Sequence, residues 1–300
     1  MISQNTDIRD IASLTGKEVA ALNFIRDSET CYFRKHNRQG MRSHIFEVLA
    51  ADDLLKETNG EIVDSIRWYP RAVPKYMLRI LRTQFTSLEQ VLDEINKYTL
   101  VLKFLGPELI AISNEFIVEY TGTGKSEIVL CGFQEYVQGA IIDPWGLVGQ
   151  APFDAFCQTR FSSDKVDKIR IAAGLESIAA FVRRMRKMIT ESGYVTDLAG
   201  NGNLILTEKG KIKLVDINNI VKVSMDDTIL LDDKGYPSCD KSIEVLYILE
   251  EKVLKTQNLS GDPLYKHFLS AARKKRVNSL ENKFFENLSE LSSGGLHGAN

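Results

Sequence analysis

The chain has 300 residues, of which 44% are hydrophobic and 26% charged, with a net charge of −2 at neutral pH. That length suffices for one large domain or for two lobes around a cleft. A charge balance this even excludes a broad electrostatic drive toward nucleic acid or an anionic membrane.

Residues 1–75 are the least periodic part. The polar, mixed-charge start lacks the apolar centre of a signal peptide. A short helix is expected over 18–26, a strand over 31–35 and a second helix over 44–56, ending near Asn59-Gly60. Pro70 and Pro74 then interrupt regular structure. From Tyr76 the pattern sharpens, with a strand over 76–82. Thr86 or Ser87 caps the helix that follows, with Glu89 in its first turn, and Leu88, Val91, Leu92, Ile95 and Leu102 fall mainly on one side of it. Gly106-Pro107 stops this helix. Strands over 109–120 and 127–133 follow, joined by a hairpin turn at 121–126. Gly124-Lys125-Ser126 in that turn has the ending of a phosphate-binding loop, but the glycine needed five residues earlier is Glu119 and no helix follows.

Residues 140–165, with Pro144, Trp145, Gly146 and Gly149, read as a long connection. A helix is expected over 164–191, carrying an apolar stripe of Ile169, Ala172, Ala173, Ile178, Val182, Met185 and Ile189, with Gly193 as its stop. A hairpin of 203–207 and 212–217 turns at Lys209-Gly210. Helices over 239–255 and 263–276 and a disordered tail from Ser289 complete the chain. The basic runs 183–187 and 273–276 read as solvated helix faces. No apolar run reaches the ~20 residues of a membrane helix. Cys31, Cys131, Cys157 and Cys239 contain no CxxC pair and read as free thiols, and the four histidines stand at no metal-ligand spacing. A cytosolic protein is expected, with no nucleic-acid partner and no membrane insertion.

The informative stretch runs from Gly193 through Asp197 and Asn203 to Asp216-Ile217-Asn218-Asn219. A helix ends, a polar loop presents an Asp and an Asn, and a second Asp follows an apolar strand. This resembles the catalytic core of the protein kinases and aminoglycoside-phosphotransferase-like enzymes, over roughly residues 76–255. The resemblance implies a bilobal α+β fold with a small, mostly antiparallel β lobe bearing one helix and a larger, mainly helical lobe. The corresponding division is 1–75 as extension and start of the small lobe, 76–139 as small lobe, 140–288 as large lobe and 289–300 as tail.

It also implies ATP and Mg²⁺ as cofactors. In that family phosphoryl transfer needs oxygen ligands for Mg²⁺ on one rigid hairpin. Asn203 and Asp216, 13 residues apart as in the family, would supply them, and Asp197 would orient the acceptor hydroxyl. Arg79 stands where the family carries its phosphate-holding lysine, with Arg82 as the alternative on the opposite strand face, and Glu94 stands where the pairing glutamate belongs. Phe133 to Gly139 looks like a hinge, in which the Glu135 carbonyl and the Val137 amide would bond adenine.

Departures from the pattern are equally plain. Asp197 and Asn203 are one residue further apart than D-x-x-x-x-N, an excess Gly200 and Gly202 can absorb. Val195-Thr196 replaces the usual residues before the Asp, and Ile217-Asn218 replaces Phe-Gly. Arg79 replaces lysine, and no glycine-rich loop precedes it, Gly40 and Gly60 being isolated. Three readings therefore stand: a phosphotransferase acting on a small-molecule or envelope-type hydroxyl, a pseudokinase that senses nucleotide or binds protein, and a scaffold with no nucleotide site.

Overall fold

The computed structural model describes residues 7–26, 30–38, 40–148, 153–160 and 167–294. It is a mixed α+β protein, and its chain divides into two units, Met1–Thr99 with Ala111–Tyr136 and Leu100–Ile110 with Val137–Asn300.

The first unit contains α1 (Gly16–Ala20), β1 (Cys31–Lys35), β2 (Ser43–Ala50), α2 (Ala51–Asn59), β3 (Glu61–Val63), β4 (Ile66–Trp68), β5 (Tyr76–Leu81), most of α3 (Leu88–Leu105), β6 (Ser113–Tyr120) and β7 (Glu127–Glu135). Five strands form an antiparallel sheet in the order β1-β2-β5-β7-β6, and β3 and β4 form a separate ribbon. The segment expected as a helix over 44–56 is instead strand β2 followed by α2. Because β2 is flanked by β1 and β5 and largely buried on both faces, its apolar run shows no alternation, and such short runs are ambiguous between helix and strand. Asn59-Gly60 ends α2, as expected; the connection from β1 to β2 carries the single glycine Gly40.

Alternation along β5 and β7 sends side chains to two different covers. Leu78, Ile80, Val129 and Cys131 pack with Ile8, Leu14, Val19 and Leu22 of the N-terminal segment. Leu81 and Leu130 pack with Val91 and Ile95 of α3. So, of the segment before Tyr76, β1 and β2 complete the sheet and Ile8 to Leu22 cap it. Thr15 and Glu18 close a capping box on α1, with the Glu18 carboxylate accepting from the Thr15 amide at 2.7 Å. Helix α1 is nevertheless shorter than the expected 18–26.

Polar links pin that cap. Arg82 Nε donates to the Arg9 carbonyl at 3.0 Å, Arg9 Nη1 donates to the Ile128 carbonyl at 3.1 Å, and His44 Nε2 lies 2.8 Å from the Ile8 carbonyl. Burial holds the His44 imidazole below its ordinary pKa, outweighing the Ile8 bond, and the Arg82 and Lys35 charges add to the effect. Between that lowered value and about 6.5, the unfolded chain holds a proton at His44 that the folded chain does not, so stability rises with pH there. Stability should therefore fall as pH drops below ~6.5, and His44→Gln should flatten this part of the profile in urea titrations taken from pH 5 to 8. Identical slopes for the two proteins would rule His44 out as the linked group.

The second unit contains the end of α3, then β8 (Gly139–Ile142), α4 (Phe153–Arg160), α5 (Asp167–Ser192), β9 (Tyr194–Thr196), β10 (Leu204–Thr207), β11 (Ile212–Leu214), β12 (Ile220–Lys222), α6 (Ser238–Ile248), α7 (Pro263–Phe268) and α8 (Ala271–Gly294). Helix α5 is its central element. Ile178, Phe181, Val182, Met185 and Met188 are buried at helical spacing, whereas Ile169 of the expected stripe is 78% exposed. The span read as a long connection holds β8, a short 3₁₀ turn at Gly146–Val148 and α4; residues 149–152 and 161–166 lie outside the described residues. Strand β8 is recruited by pairing with β10, with Ile142 opposite Leu204, and four residues are too few to show a period. A π-helical turn, Leu249–Val253, extends α6. The helix expected over 263–276 is two helices, and the second runs through the start of the expected tail to Gly294, residues 295–300 lying outside the described residues. None of the four cysteines forms a disulfide among the described residues. Burial pushes the Cys239 thiol up to about 12, which leaves it protonated and unreactive. Among the described residues no helix is long and apolar enough to cross a membrane.

Candidate functional site

Two short antiparallel pairings in the second unit position the polar loop. Strand β9 pairs with β12, Thr196 opposite Ile220, and the Asp197 amide extends the ladder to the Asn219 carbonyl at 2.8 Å. Strand β10 pairs with β11, Leu204 opposite Leu214, and the Val215 amide donates to the Asn203 carbonyl at 2.8 Å. Asn203 and Asp216 therefore occupy one end of a hairpin, one residue out of direct register. Asp143, which follows Ile142 of β8, lies at the same end of the three-stranded sheet.

The extra residue between Asp197 and Asn203 is absorbed at the two glycines. Gly202 has φ +92°, a left-handed conformation that glycine adopts without strain. The Asn203 side chain folds over Gly200, where a Cβ would stand 2.7 Å from both of its amide atoms. Asn203 Nδ2 can then donate to the Asp197 carbonyl at 2.9 Å, while its Oδ1 accepts no hydrogen bond among the described residues. Asp216 is half-buried and accepts from the Asn218 amide at 3.3 Å in a local turn.

Asp197 is 8% exposed. Its carboxylate accepts from the Ala199 amide at 2.9 Å and from Asn219 Nδ2 at 3.0 Å. The same Asn219 nitrogen lies 3.1 Å from Ser238 Oγ and 3.3 Å from Asp232 Oδ2, and Ser238 donates to Asp232. The loop is backed on other sides as well. Ser242 Oγ accepts from the Leu198 amide at 3.0 Å, and Trp145 Nε1 donates to the Ala199 carbonyl at 3.0 Å. The Lys241 ammonium lies 4.3 Å from the centre of the Trp145 ring and pairs with Glu244 and Glu281. Burial, the Glu281 hydrogen bond and charge, and the Asp197 charge raise the pKa of the Tyr236 phenol, so it stays protonated. Asn219, Trp145 and Lys241 had no legible role beforehand. The three-residue strands that bring Asn219 to Asp197 are too short to declare themselves in a sequence.

In the first unit Arg79 is buried, and it donates through Nη2 to Glu115 and, at 3.0 Å, to Ser113 Oγ. The pair expected between Arg79 and Glu94 is not made: Glu94 is half-buried and bonds Lys97, three residues on, at 3.0 Å. The physical reason is reach along one sheet row, because Glu115 stands on β6 level with Arg79 and Gly132 between them has no side chain. Arg82, on the other strand face, is engaged by the Arg9 carbonyl. In the expected hinge, the Glu135 amide bonds the Ile112 carbonyl at 2.7 Å, and the Val137 amide donates to no described residue.

The basic runs are also less solvated than expected. Arg186 pairs with Glu250 at 3.2 Å and Asp262 at 2.5 Å, and Arg273 is buried against Asp240. Among the described residues no group of three or more His, Cys, Asp or Glu gathers as a metal cage. An amide oxygen and one carboxylate fit Mg²⁺, which takes few protein oxygens and completes its shell with water and phosphate. They do not fit a structural zinc or calcium site. No protein-family model matches the chain, and no curated protein matches it in sequence.

Proposed function

We propose that the chain is an ATP- and Mg²⁺-dependent phosphotransferase with the bilobal fold of the protein kinases and aminoglycoside-phosphotransferase-like enzymes. The observation that carries this reading is the hairpin end where Asn203 and Asp216 flank the paired strands β10 and β11 and Asn203 is tied to Asp197. It is supported by a five-stranded antiparallel sheet with one helix between β5 and β6, and by a mainly helical second unit. Bound there, Mg²⁺ would neutralise charge on the transferred phosphoryl group. The Asn203 Oδ1 and the Asp216 carboxylate would hold the ion. Asp197, with both carboxylate oxygens oriented by donors, would position the acceptor hydroxyl and take its proton. Arg79 would contact the phosphates, and the Glu135 carbonyl and free Val137 amide would bond adenine. Between β12 and α6 the chain has only residues 223–237, little for a peptide-docking platform, which favours a small-molecule or envelope-type acceptor.

A second reading, a pseudokinase that senses nucleotide, is favoured by one observation. The β1–β2 connection offers a single glycine instead of a run of stacked amides over the phosphates. Thermal melting separates the readings. ATP with Mg²⁺ at 100 times its Kd should stabilise the protein by about 2.7 kcal/mol, and slow ATP turnover should accompany the shift. A shift without turnover would leave the pseudokinase, and no shift with or without Mg²⁺ would leave only a scaffold.

A further inference from the structure

Arg79, Gly132 and Glu115 form one row across three neighbouring strands, since β5 pairs Arg79 with Gly132 and β6 pairs Glu115 with Gly132. Arg79 must cross the middle strand to reach Glu115, a span of two strand spacings of about 4.8 Å each. The crossing is open because position 132 has no side chain. A Cβ there would stand 2.8 Å from Arg79 Nη2, from Glu115 Oε1 and from Ser113 Oγ. A lysine, shorter and without a planar fork, would keep one N–H after bridging Glu115 and Ser113, where arginine keeps three, on Nε and Nη1. This accounts for arginine where the resembling family carries lysine.

Both members of the pair are buried, with side chains 4% and 6% exposed. One nitrogen, Nη2, makes both protein bonds. Nε and Nη1 are buried and have no hydrogen-bond partner among the described residues. Buried donors without acceptors are costly and call for one, and guanidinium donors match phosphoryl oxygens. Helix α3 faces the row with a neutral group, the Tyr98 hydroxyl, which accepts from the Ser113 amide at 2.9 Å. Its glutamate one turn earlier, Glu94, is paired to Lys97.

We infer that Glu115 on β6, and not Glu94 on α3, is the counter-ion that positions Arg79 for the phosphates of a nucleotide. The charge pairing is thus set by the sheet, through a glycine gap in its middle strand, and not by the helix. This rests on the phosphotransferase reading and adds a positioning residue to it.

The test measures binding of ATP and of adenosine, each with Mg²⁺, to the full chain by calorimetry. The readout is the ratio of the two affinities, which a general loss of folding would not move selectively. Glu115→Gln and Gly132→Ala should weaken ATP at least 10-fold and adenosine less than twofold. Glu94→Gln should change neither by more than twofold. Glu94 is half-buried and among the described residues bonds only Lys97, so this variant keeps the fold, and its result stands even where Glu115→Gln fails to fold. An ATP-selective loss in Glu94→Gln, or an unchanged ratio in a folded Glu115→Gln, overturns the inference. If the unaltered protein binds adenosine and ATP equally, Arg79 has no phosphate to hold and the inference fails while a nucleoside site survives. If it binds neither, the phosphotransferase reading fails and takes this inference with it.

Discussion

Arg273→Met should destabilise the second unit by about 3–5 kcal/mol, the cost of leaving a buried carboxylate without its partner. Arg273 stands in the first turn of α8 and is 5% exposed; Asp240 stands in the first turn of α6 and is 3% exposed. The guanidinium forks onto the carboxylate, Nε to Oδ1 at 2.5 Å and Nη2 to Oδ2 at 3.1 Å. It also donates to the Asp226 and Thr228 carbonyls at 2.8 and 3.0 Å and lies 4.7 Å from the centre of the Phe268 ring. One side chain thus closes a helix, a loop and a second helix. At roughly 2–4 °C per kcal/mol for a unit of this size, the melting midpoint should fall by on the order of 10 °C. Adding Asp240→Leu removes the stranded charge and should recover part of the loss. Recovery should stay incomplete, because the Thr228 carbonyl loses its donor, whereas the Asp226 carbonyl still has His267 Nε2 at 3.0 Å. A midpoint shift below 2 °C in Arg273→Met would show that the pair is solvated and structurally idle.

Long elements were legible and short ones were not, for a physical reason. Helices α3 and α5 run long enough for the 3.6-residue period to separate from noise, and their stops at Gly106 and Gly193 were read from the glycines. The β6–β7 hairpin showed itself through its polar turn, where Gly124 bonds back to Thr121 at 3.1 Å. By contrast β8, β9 and β12 have four, three and three residues and exist because a partner strand lies beside them. That fact is tertiary and no local pattern encodes it. The site divides along the same line. That Asn203 and Asp216 come to one end was readable because a hairpin fixes it, whereas the β9–β12 pairing that places Asp197 was not. The partner of Arg79 was not, since family order pointed to the helix while the contact is decided by sheet register and by the missing side chain at Gly132. Arg273 was misread as solvent-facing for a similar reason. A basic run reports charge, and only packing reports which member of the run turns inward.

Asp197→Asn should lower kcat for ATP-dependent transfer by about 10²–10⁴-fold, the usual contribution of a positioned proton acceptor, with the KM for ATP little changed. The substitution has a structural cost that must be read separately. The carboxylate accepts from the Ala199 amide on one oxygen and from Asn219 Nδ2 on the other. An amide side chain has one acceptor, so one of these donors loses its partner, at about 1–3 kcal/mol. If the Asn219 amide turns to compensate, its contacts to Asp232 and Ser238 go instead. Activity must therefore be compared well below the variant's own melting midpoint. Asp216→Asn supplies the contrast. The Asp216 side chain accepts a local hydrogen bond from the Asn218 amide, which an amide oxygen still accepts, so the apo midpoint should hold while stabilisation by ATP with Mg²⁺ disappears. A purely structural Asp197 would give a lower midpoint and normal turnover. A purely nucleotide-sensing protein would give no turnover in any variant, with the ATP response lost in Asp216→Asn alone. Only a phosphotransferase loses turnover in Asp197→Asn while keeping the ATP response, because proton transfer and metal-assisted binding are then carried by two different carboxylates.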